Sequence, residues 1–191
     1  MGGALCQGLL KNLKDVTVSL ADHHPENLKP FSGIKTSTKP QEILGDADAV
    51  LIAVKPQTFG ALCAELHGAL EGKLVISIMA GKTLATLMQE TGSRRVIRSM
   101  PNLGVRVGRG LTAWVPSSDV TGEEATITQH FFAQLIDRGA LLPEDASKVW
   151  RADVEHRRDV LGSRCATLES GFERPADLAR CGAVVVPGRK Q

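Results

Sequence analysis

The sequence lacks any marked excess of charge and any long apolar segment. Its 23 Lys and Arg residues stand against 21 Asp and Glu residues, which gives a formal net charge of +2. Such a balance gives no support to nucleic-acid binding. The longest apolar stretches, residues 47–54 and 74–80, are far shorter than the roughly 20 residues needed to span a bilayer. We therefore expect a protein that binds neither nucleic acid nor a membrane.

Metal-binding and targeting signals are also missing. The four cysteines, at positions 6, 63, 165 and 181, match no metal signature and no small disulfide framework, so we interpret them as reduced thiols. The histidines have no ligand spacing with a carboxylate or cysteine partner, and we predict no metal site. No basic region followed by an apolar core opens the chain, so we expect a cytoplasmic protein.

The basic residues divide the chain into two unequal parts. No arginine occurs before Arg94, whereas seven of the thirteen arginines follow Pro143; eight of the ten lysines lie at or before Lys82. Regular apolar periodicity also ends near Leu142. We therefore predict an ordered domain over residues 1–142 and an irregular or weakly helical tail over residues 143–191.

Within the first part, short apolar segments alternate with segments of helical periodicity. Several apolar segments are continuously hydrophobic, as parallel strands covered on both faces require. Pro56 is placed to open one helix, and Thr121 with Glu124 forms a capping box at the start of another. This alternation predicts an α/β fold with a doubly wound, mostly parallel sheet. The predicted strands cover residues 16–20, 49–54, 74–79, 96–97 and 111–115, with a further candidate at 140–142.

The first strand of such a fold is missing from the pattern. The strand predicted at 16–20 follows a helix predicted over residues 3–13, and no strand precedes that helix. In a doubly wound sheet, the first strand leads into the glycine turn that receives the pyrophosphate of a dinucleotide. We therefore predict a Rossmann-like sheet lacking its first strand, with residues 1–142 as a partial dinucleotide-binding domain.

Three consecutive predicted strands end in turns suited to ligand binding. Lys55-Pro56 follows the first of them, and the small residues around Ala80 follow the second, where they would let the backbone approach a ligand. Asn102 follows the third and offers both a donor and an acceptor, which suits a carboxamide. Ligands of open α/β sheets bind at the carboxyl ends of the strands, so the site is expected there. For the Lys55-Pro56 turn, the alternative is an ordinary strand-to-helix turn.

Five short segments follow one another along the chain: Met1-Gly-Gly-Ala-Leu, Ala53-Val-Lys-Pro-Gln, Ser77-Ile-Met-Ala-Gly, Arg98-Ser-Met-Pro-Asn and Gly110-Leu-Thr-Ala. In their order and spacing these segments resemble the pyrroline-5-carboxylate reductase family. The resemblance extends to about Leu142 and implies reduction of 1-pyrroline-5-carboxylate to proline, in proline biosynthesis, with NADP or NAD as the cofactor. It also implies a Rossmann domain followed by a helical domain that dimerises and binds the substrate.

The same resemblance implies a set of cofactor-binding residues. Gly2 would be the last glycine of the family's Gly-x-Gly-x-x-Gly loop, Thr38 falls near a position that contacts adenosine, and Asn102 lies where the nicotinamide end is expected. It assigns no catalytic residue in this chain. The implied cofactor-binding residues are Met1, Gly2, Asp22, Thr38, Ala53, Val54, Lys55, Pro56, Ile78, Met79, Ala80 and Asn102.

Asp22 bears on the choice between the two cofactors. It lies 20 residues after Gly2, where a carboxylate would accept hydrogen bonds from the adenosine ribose and repel a 2′-phosphate, which favours NAD. His23 and His24 would weaken this preference if protonated. The alternative is a solvated Asp-His-His-Pro turn with no ligand.

The C-terminal part departs from the family. No segment after Leu142 resembles the family's Ser-Gly-Ser-Gly-Pro-Ala-Tyr helix or its Ser-Pro-Gly-Gly-Thr-Thr substrate loop, and Leu103-Gly104 stands where the family usually has Thr-Pro. We therefore expect a monomeric chain in which the tail replaces the dimerisation domain. The alternative function is a non-catalytic, truncated homologue that binds nucleotide or a partner subunit.

Overall fold

The structure is a computed structural model that describes residues 1–12, 16–101, 112–134 and 182–187. These ranges hold six α-helices, one short 3-10 helix and seven strands. No helix within them has the length and apolar character needed to cross a membrane. The predicted strand at 140–142 lies outside the described residues.

Helices and strands alternate along most of the described chain. The helices are α1 (Gly2–Asn12), α2 (Pro25–Leu28), α3 (Gln41–Leu44), α4 (Pro56–Leu66), α5 (Leu84–Thr91) and α6 (Gly122–Gln134), and the 3-10 helix covers Lys29–Phe31. The strands are β1 (Thr17–Ala21), β2 (Lys35–Ser37), β3 (Ala49–Ala53), β4 (Leu74–Ser77), β5 (Val96–Pro101), β6 (Thr112–Pro116) and β7 (Gly182–Pro187).

All seven strands form one sheet in the order β2-β1-β7-β3-β4-β5-β6. Every neighbouring pair is parallel except β5 and β6, which are antiparallel. Apolar side chains of β3 and β4 are buried on both faces of the sheet, as expected for central strands of a parallel sheet. The prediction of a Rossmann-like α/β fold with mostly parallel strands is confirmed.

Two hydrophobic clusters cover the two faces. On one face, α1 and α6 pack against the sheet through Leu5, Leu9, Phe131 and Phe132. The other face is covered by α3, α4 and α5. In this second cluster Phe59 and Leu87 are fully buried. The helices therefore hold the sheet rigidly from both sides, which fixes the positions of the strand ends.

Most predicted elements are present with small shifts at their ends. The α4 helix begins at Pro56, as predicted, and the α6 capping box is formed. The elements not predicted from the sequence are β2, β7, α5 and the three shortest helices, namely α2, α3 and the 3-10 helix. The β2 strand is a short, polar edge strand with little apolar alternation to reveal it.

The sheet differs from the prediction at one central position. The sequence predicts a sheet without a first strand and an irregular tail over residues 143–191. The structure instead places β7, from that tail, between β1 and β3, which corrects both predictions for residues 182–187. Three consecutive valines give this segment a high strand propensity, and partners on both sides complete its backbone ladder. The rest of the tail lies outside the described residues.

Candidate functional site

The ends of the parallel strands lie side by side at the carboxyl edge of the sheet. Ile52 near the end of β3 is in register with Ser77 at the end of β4, and Ser77 is in register with Arg98 of β5. Beyond β7 in the same sheet, Ala21 at the end of β1 is in register with Ser37 at the end of β2. The turns that follow these strands therefore lie along one edge of the sheet, with β7 between the two groups, and we call this edge the carboxyl rim.

The turn after β3 is shaped by the start of α4. Lys55 adopts an extended backbone conformation at the N-cap, and Pro56 occupies the first turn, where its missing N–H is not needed. The carbonyl of Lys55 accepts hydrogen bonds from the backbone N–H and the hydroxyl of Thr58, each at 3.0 Å. Ala53, Val54, Lys55 and Pro56 are all half-buried. Part of each side chain therefore stays open to a ligand at the rim.

The turn after β4 is held by two serines. The backbone N–H of Met79 donates to Ser77 Oγ at 3.2 Å, and Ser99 Oγ donates to the Ser77 carbonyl at 2.9 Å. Met79 is buried, with 2% exposure, whereas Ile78 is half-buried and Ala80 is exposed. Gly81 follows with φ of 75°, a left-handed conformation that suits glycine. Only Ile78 and Ala80 of this turn therefore present side chains to the rim.

Asp22 organises the loop after β1. Its Oδ1 accepts the backbone N–H of His24 at 2.9 Å, and its Oδ2 accepts Asn27 Nδ2 at 2.8 Å. The residue is buried, with 2% exposure. Both carboxylate oxygens therefore have partners within the loop, a geometry that differs from the solvated turn considered above.

Charged side chains follow β1 and β2 at the same rim. His23 Nε2 lies 3.1 Å from Glu65 Oε2, and His24 Nδ1 lies 3.2 Å from Glu26 Oε1. After β2, Ser37 Oγ donates to Glu42 Oε2 at 2.6 Å, which leaves Thr38 exposed at the tip of the turn. This end of the rim is therefore polar and partly open to solvent.

The start of α1 contains two glycines, of which Gly3 has room for a side chain. Gly2 is buried, Met1 is 42% exposed, and the backbone N–H of Leu5 donates to the Met1 carbonyl. A Cβ at Gly3 would lie 3.7 Å from the Phe31 ring, in ordinary contact. The helix also packs against β7, the strand beside β1 and β3.

Eleven of the twelve residues assigned by resemblance lie in the described part of the chain, and the twelfth, Asn102, lies outside it. Those after β1, β2, β3 and β4 lie on the carboxyl rim. The sequence analysis did not single out Asn27 or Ser99, whose hydrogen bonds shape the rim turns. No sequence pattern marks either residue, since the Ser99 contact joins β5 to β4 and the Asn27 contact lies within an irregular segment. In the described ranges no cluster of metal-ligating side chains is found.

Two thiols lie in the packed helices beside the sheet. Burial raises the pKa of the Cys6 thiol to about 11. For Cys63, burial is the main cause of a rise in pKa to about 11, with a smaller contribution from the Glu90 carboxylate. Both are free cysteines. Thiols held neutral in this way are poor nucleophiles, so neither is a candidate for covalent catalysis.

Comparison with known proteins places this chain among oxidoreductases. The family described as "NADP oxidoreductase coenzyme F420-dependent" matches residues 1–81. The pyrroline-5-carboxylate reductase of Methanosarcina acetivorans is 32% identical over 143 residues, covering 70% of this chain and 52% of the relative. That of Thermus thermophilus is 34% identical over 144 residues, covering 72% and 53%. The chain thus spans about half the length of these curated relatives.

Solved structures give the same fold. A pyrroline-5-carboxylate reductase from Coxiella burnetii superposes with a TM-score of 0.65 at 23% identity, covering 81% of this chain and 67% of that one. The Plasmodium falciparum pyrroline carboxylate reductase, solved with NADP bound, gives a TM-score of 0.64 at 22% identity, covering 78% and 57%. By its N-terminal NAD(P)-binding domain, the chain belongs to the pyrroline-5-carboxylate reductase family.

Proposed function

We propose that this chain binds a nicotinamide dinucleotide along the carboxyl rim and serves as the cofactor-binding part of a pyrroline-5-carboxylate reductase. The observation that carries the proposal is the alignment of the turns after β3 and β4, fixed by the register of Ile52 with Ser77. Ligands of doubly wound sheets bind outside the carboxyl ends of such strands. The membership of the family supports the same cofactor class.

The residues of the rim fit an extended, anionic ligand. The open turns after β3 and β4 present Lys55, Ile78 and Ala80, which combine one cation with small or apolar surface. The hydrogen bonds of Ser77 and Ser99 hold the second turn in place before a ligand arrives. Such preorganisation lowers the entropic cost of binding.

The chemistry proposed for the whole site is reduction of an imine. When bound, the reduced nicotinamide would supply a hydride to the carbon of the C=N bond of 1-pyrroline-5-carboxylate, and the pyrroline nitrogen would gain a proton to give proline. The contribution of the rim is to orient the cofactor, because the transfer depends on holding the two reacting atoms close together. We assign no catalytic residue.

We propose that NADP(H) is preferred over NAD(H). The carboxylate of Asp22 already accepts two hydrogen bonds inside its own loop, so its role is to shape the loop around the ribose. Lys39 follows β2; its side chain is 73% exposed and lies 3.9 Å from the Glu42 carboxylate, so its charge is open to a 2′-phosphate. His23 and His24, after β1, each lie beside a glutamate. A charge-assisted hydrogen bond to a phosphate contributes about 1.5–3 kcal/mol, which corresponds to a preference of roughly tenfold or more.

Fluorescence titration with NADPH and NADH tests this proposal. We expect saturable binding of both, with NADPH bound about tenfold more tightly. Adenosine 2′,5′-diphosphate should compete with NADPH better than adenosine 5′-monophosphate does, since it carries the 2′-phosphate. Tighter binding of NADH would contradict the proposed preference, and failure of both to saturate would contradict the site itself.

A non-catalytic nucleotide-binding homologue is the second candidate. It rests on the nucleotide-binding rim alone, because no residue on that rim is assigned a catalytic role. An assay of NADPH oxidation with 1-pyrroline-5-carboxylate distinguishes the two. Turnover by the chain alone supports a reductase, whereas saturable NADPH binding without turnover supports the non-catalytic homologue.

A further inference from the structure

The β7 strand occupies the middle of the sheet although it comes last along the described chain. Residues Thr17–Leu20 of β1 pair with Gly182–Val185 of β7 on one side. Residues Ala49–Ala53 of β3 pair with Ala183–Pro187 on the other side. Both pairings are parallel, so β7 is hydrogen-bonded along both edges. Without β7, the sheet would be divided into β2-β1 and β3-β4-β5-β6.

The two strands that flank β7 form a groove, which we call the acceptor groove. Its walls are the facing backbone edges of β1 and β3. The side chains beside these edges are apolar and deeply buried, since Leu20, Val50 and Ile52 have no exposed surface. Open backbone edges among such side chains would be costly to leave unpaired, because buried N–H and C=O groups need partners. The groove therefore fits an extended, apolar segment in the parallel direction.

The connection to β7 differs from the other parallel connections in the sheet. The strands β3, β4 and β5 follow one another through single short helices, and each strand pairs with the next. By contrast, β7 is separated from α6 by residues 135–181, and it pairs with two strands that are distant in sequence. Nothing in this ladder requires the strand to be covalently close to its neighbours. Its fit depends on backbone pairing.

We propose that the acceptor groove is a strand-binding site whose resident ligand is the chain's own 182–187 segment. The groove accepts the same segment as a separate peptide when the resident strand cannot pair. Recognition comes from parallel backbone hydrogen bonds to β1 and β3, the mode in which a strand is added to a sheet. Strand binding in the acceptor groove does not require a nucleotide, and the experiments that test it are carried out without one.

The test uses the full chain with Val185 replaced. In Val185→Pro the strand loses a backbone N–H in the middle of a two-sided ladder, where proline is not tolerated. Val185→Ala keeps that N–H and serves as the matched control. We expect the proline variant to melt about 10 °C below the wild type, and the alanine variant to fall much less.

A synthetic peptide of residues 182–190 with blocked ends is then added to each protein. The peptide should raise the melting temperature of Val185→Pro in a saturable manner and leave the wild type unchanged, because there the groove is filled. The same peptide with proline at position 185 should have no effect. If Val185→Pro does not fold alone, recovery of its native circular dichroism on addition of the peptide is the expected result.

Two results with the proline variant would overturn the proposal. One is a proline variant as stable as the wild type, which would mean that β7 contributes no essential pairing. The other is failure of the peptide to stabilise or refold the proline variant. Hydrogen exchange on the wild type adds a measurement without substitution: amides of β1 and β3 should be protected together with those of residues 183–186. Rapid exchange of the amides of residues 183–186, with those of β1 and β3 still protected, would also contradict the proposal.

Discussion

The carboxylate of Asp22 determines much of the shape of the loop after β1. The carboxylate is buried, and it accepts one hydrogen bond from the backbone of His24 and one from the side chain of Asn27. The sequence placed an acidic residue at the right distance from Gly2 for a ribose contact. It could not reveal the bond to Asn27, because side-chain pairing within a loop leaves no periodic pattern. The direct contact of Asp22 with a ribose stays a prediction.

Replacing Asp22 by alanine tests this structural role. The change leaves two donors without their acceptor, and we expect the free energy of unfolding to fall by about 1–3 kcal/mol. The Asp22→Asn variant keeps one acceptor oxygen and should lose less. Urea denaturation followed by circular dichroism measures both effects. An unchanged denaturation midpoint for Asp22→Ala would contradict the role assigned to the carboxylate.

The raised pKa of the Cys6 thiol should make the stability of the fold depend on pH in alkaline solution. Its pKa is about 11 in the folded chain and 9.0 when unperturbed, so the unfolded chain loses its proton first as the pH rises. The contribution of the neutral Cys6 thiol to the free energy of unfolding is therefore complete below pH 9, and it is lost as the pH rises toward 11. The sequence contains no tyrosine to titrate in the same range.

Urea midpoints measured at pH 7.5, 9 and 10.5 check this prediction. We expect the wild type to lose more stability over this range than Cys6→Ala, which retains the lysine titrations but has no thiol at this position. Equal losses in the two proteins would show that the buried thiol does not contribute.

Among the elements, α6 shows how far local sequence signals extend. Its capping box is formed as predicted: Glu124 Oε2 accepts the Thr121 backbone N–H at 2.9 Å, and Thr121 Oγ1 accepts the Glu124 backbone N–H at 3.2 Å. Glu124 also pairs with Arg95 Nη1 at 2.6 Å, which joins the start of α6 to the segment before β5. The sequence revealed the cap, whose two residues are three apart, but the pairing with Arg95 depends on the fold.

Removal of the cap should weaken α6 measurably. We expect Thr121→Ala to lower the free energy of unfolding by about 1 kcal/mol, since an uncapped helix start leaves a backbone N–H without a partner. Thr121→Ser keeps the hydroxyl and should cost little. Thermal or urea denaturation of the three proteins gives the comparison. If the alanine and serine variants behave alike, the hydroxyl is not acting as a cap.

The strands show which parts of the fold could be predicted. Long apolar runs revealed β3 and β4, because a strand buried on both faces is hydrophobic throughout. The β2 strand was missed because an exposed edge strand needs no apolar residues. The position of β7 could not be inferred either. The local sequence of Gly182–Pro187 favours a strand, but it does not show that this strand inserts between β1 and β3, which are distant along the chain.

At the scale of the whole molecule, the sheet brings four separate turns to one rim. The sequence predicted a shared edge for the strand ends that it identified, because the carboxyl ends of parallel strands lie together, but it did not predict β2 or the turn that follows it. The turns after β3 and β4 were identified from the sequence, and the hydrogen bonds that hold them became visible only in the structure. The predicted monomeric state and the cytoplasmic location stay predictions.

Charge reversal at the two ends of the sheet tests the central claim most directly. Lys55→Glu changes the carboxyl rim, whereas Arg94→Glu makes the same change in net charge just before β5, at the opposite edge, where the Arg94 side chain is 80% exposed. Fluorescence titration with NADPH should show about tenfold weaker binding for Lys55→Glu and nearly wild-type binding for Arg94→Glu. Equal affinities for the two variants, or a larger loss in Arg94→Glu, would contradict a dinucleotide site at the carboxyl rim.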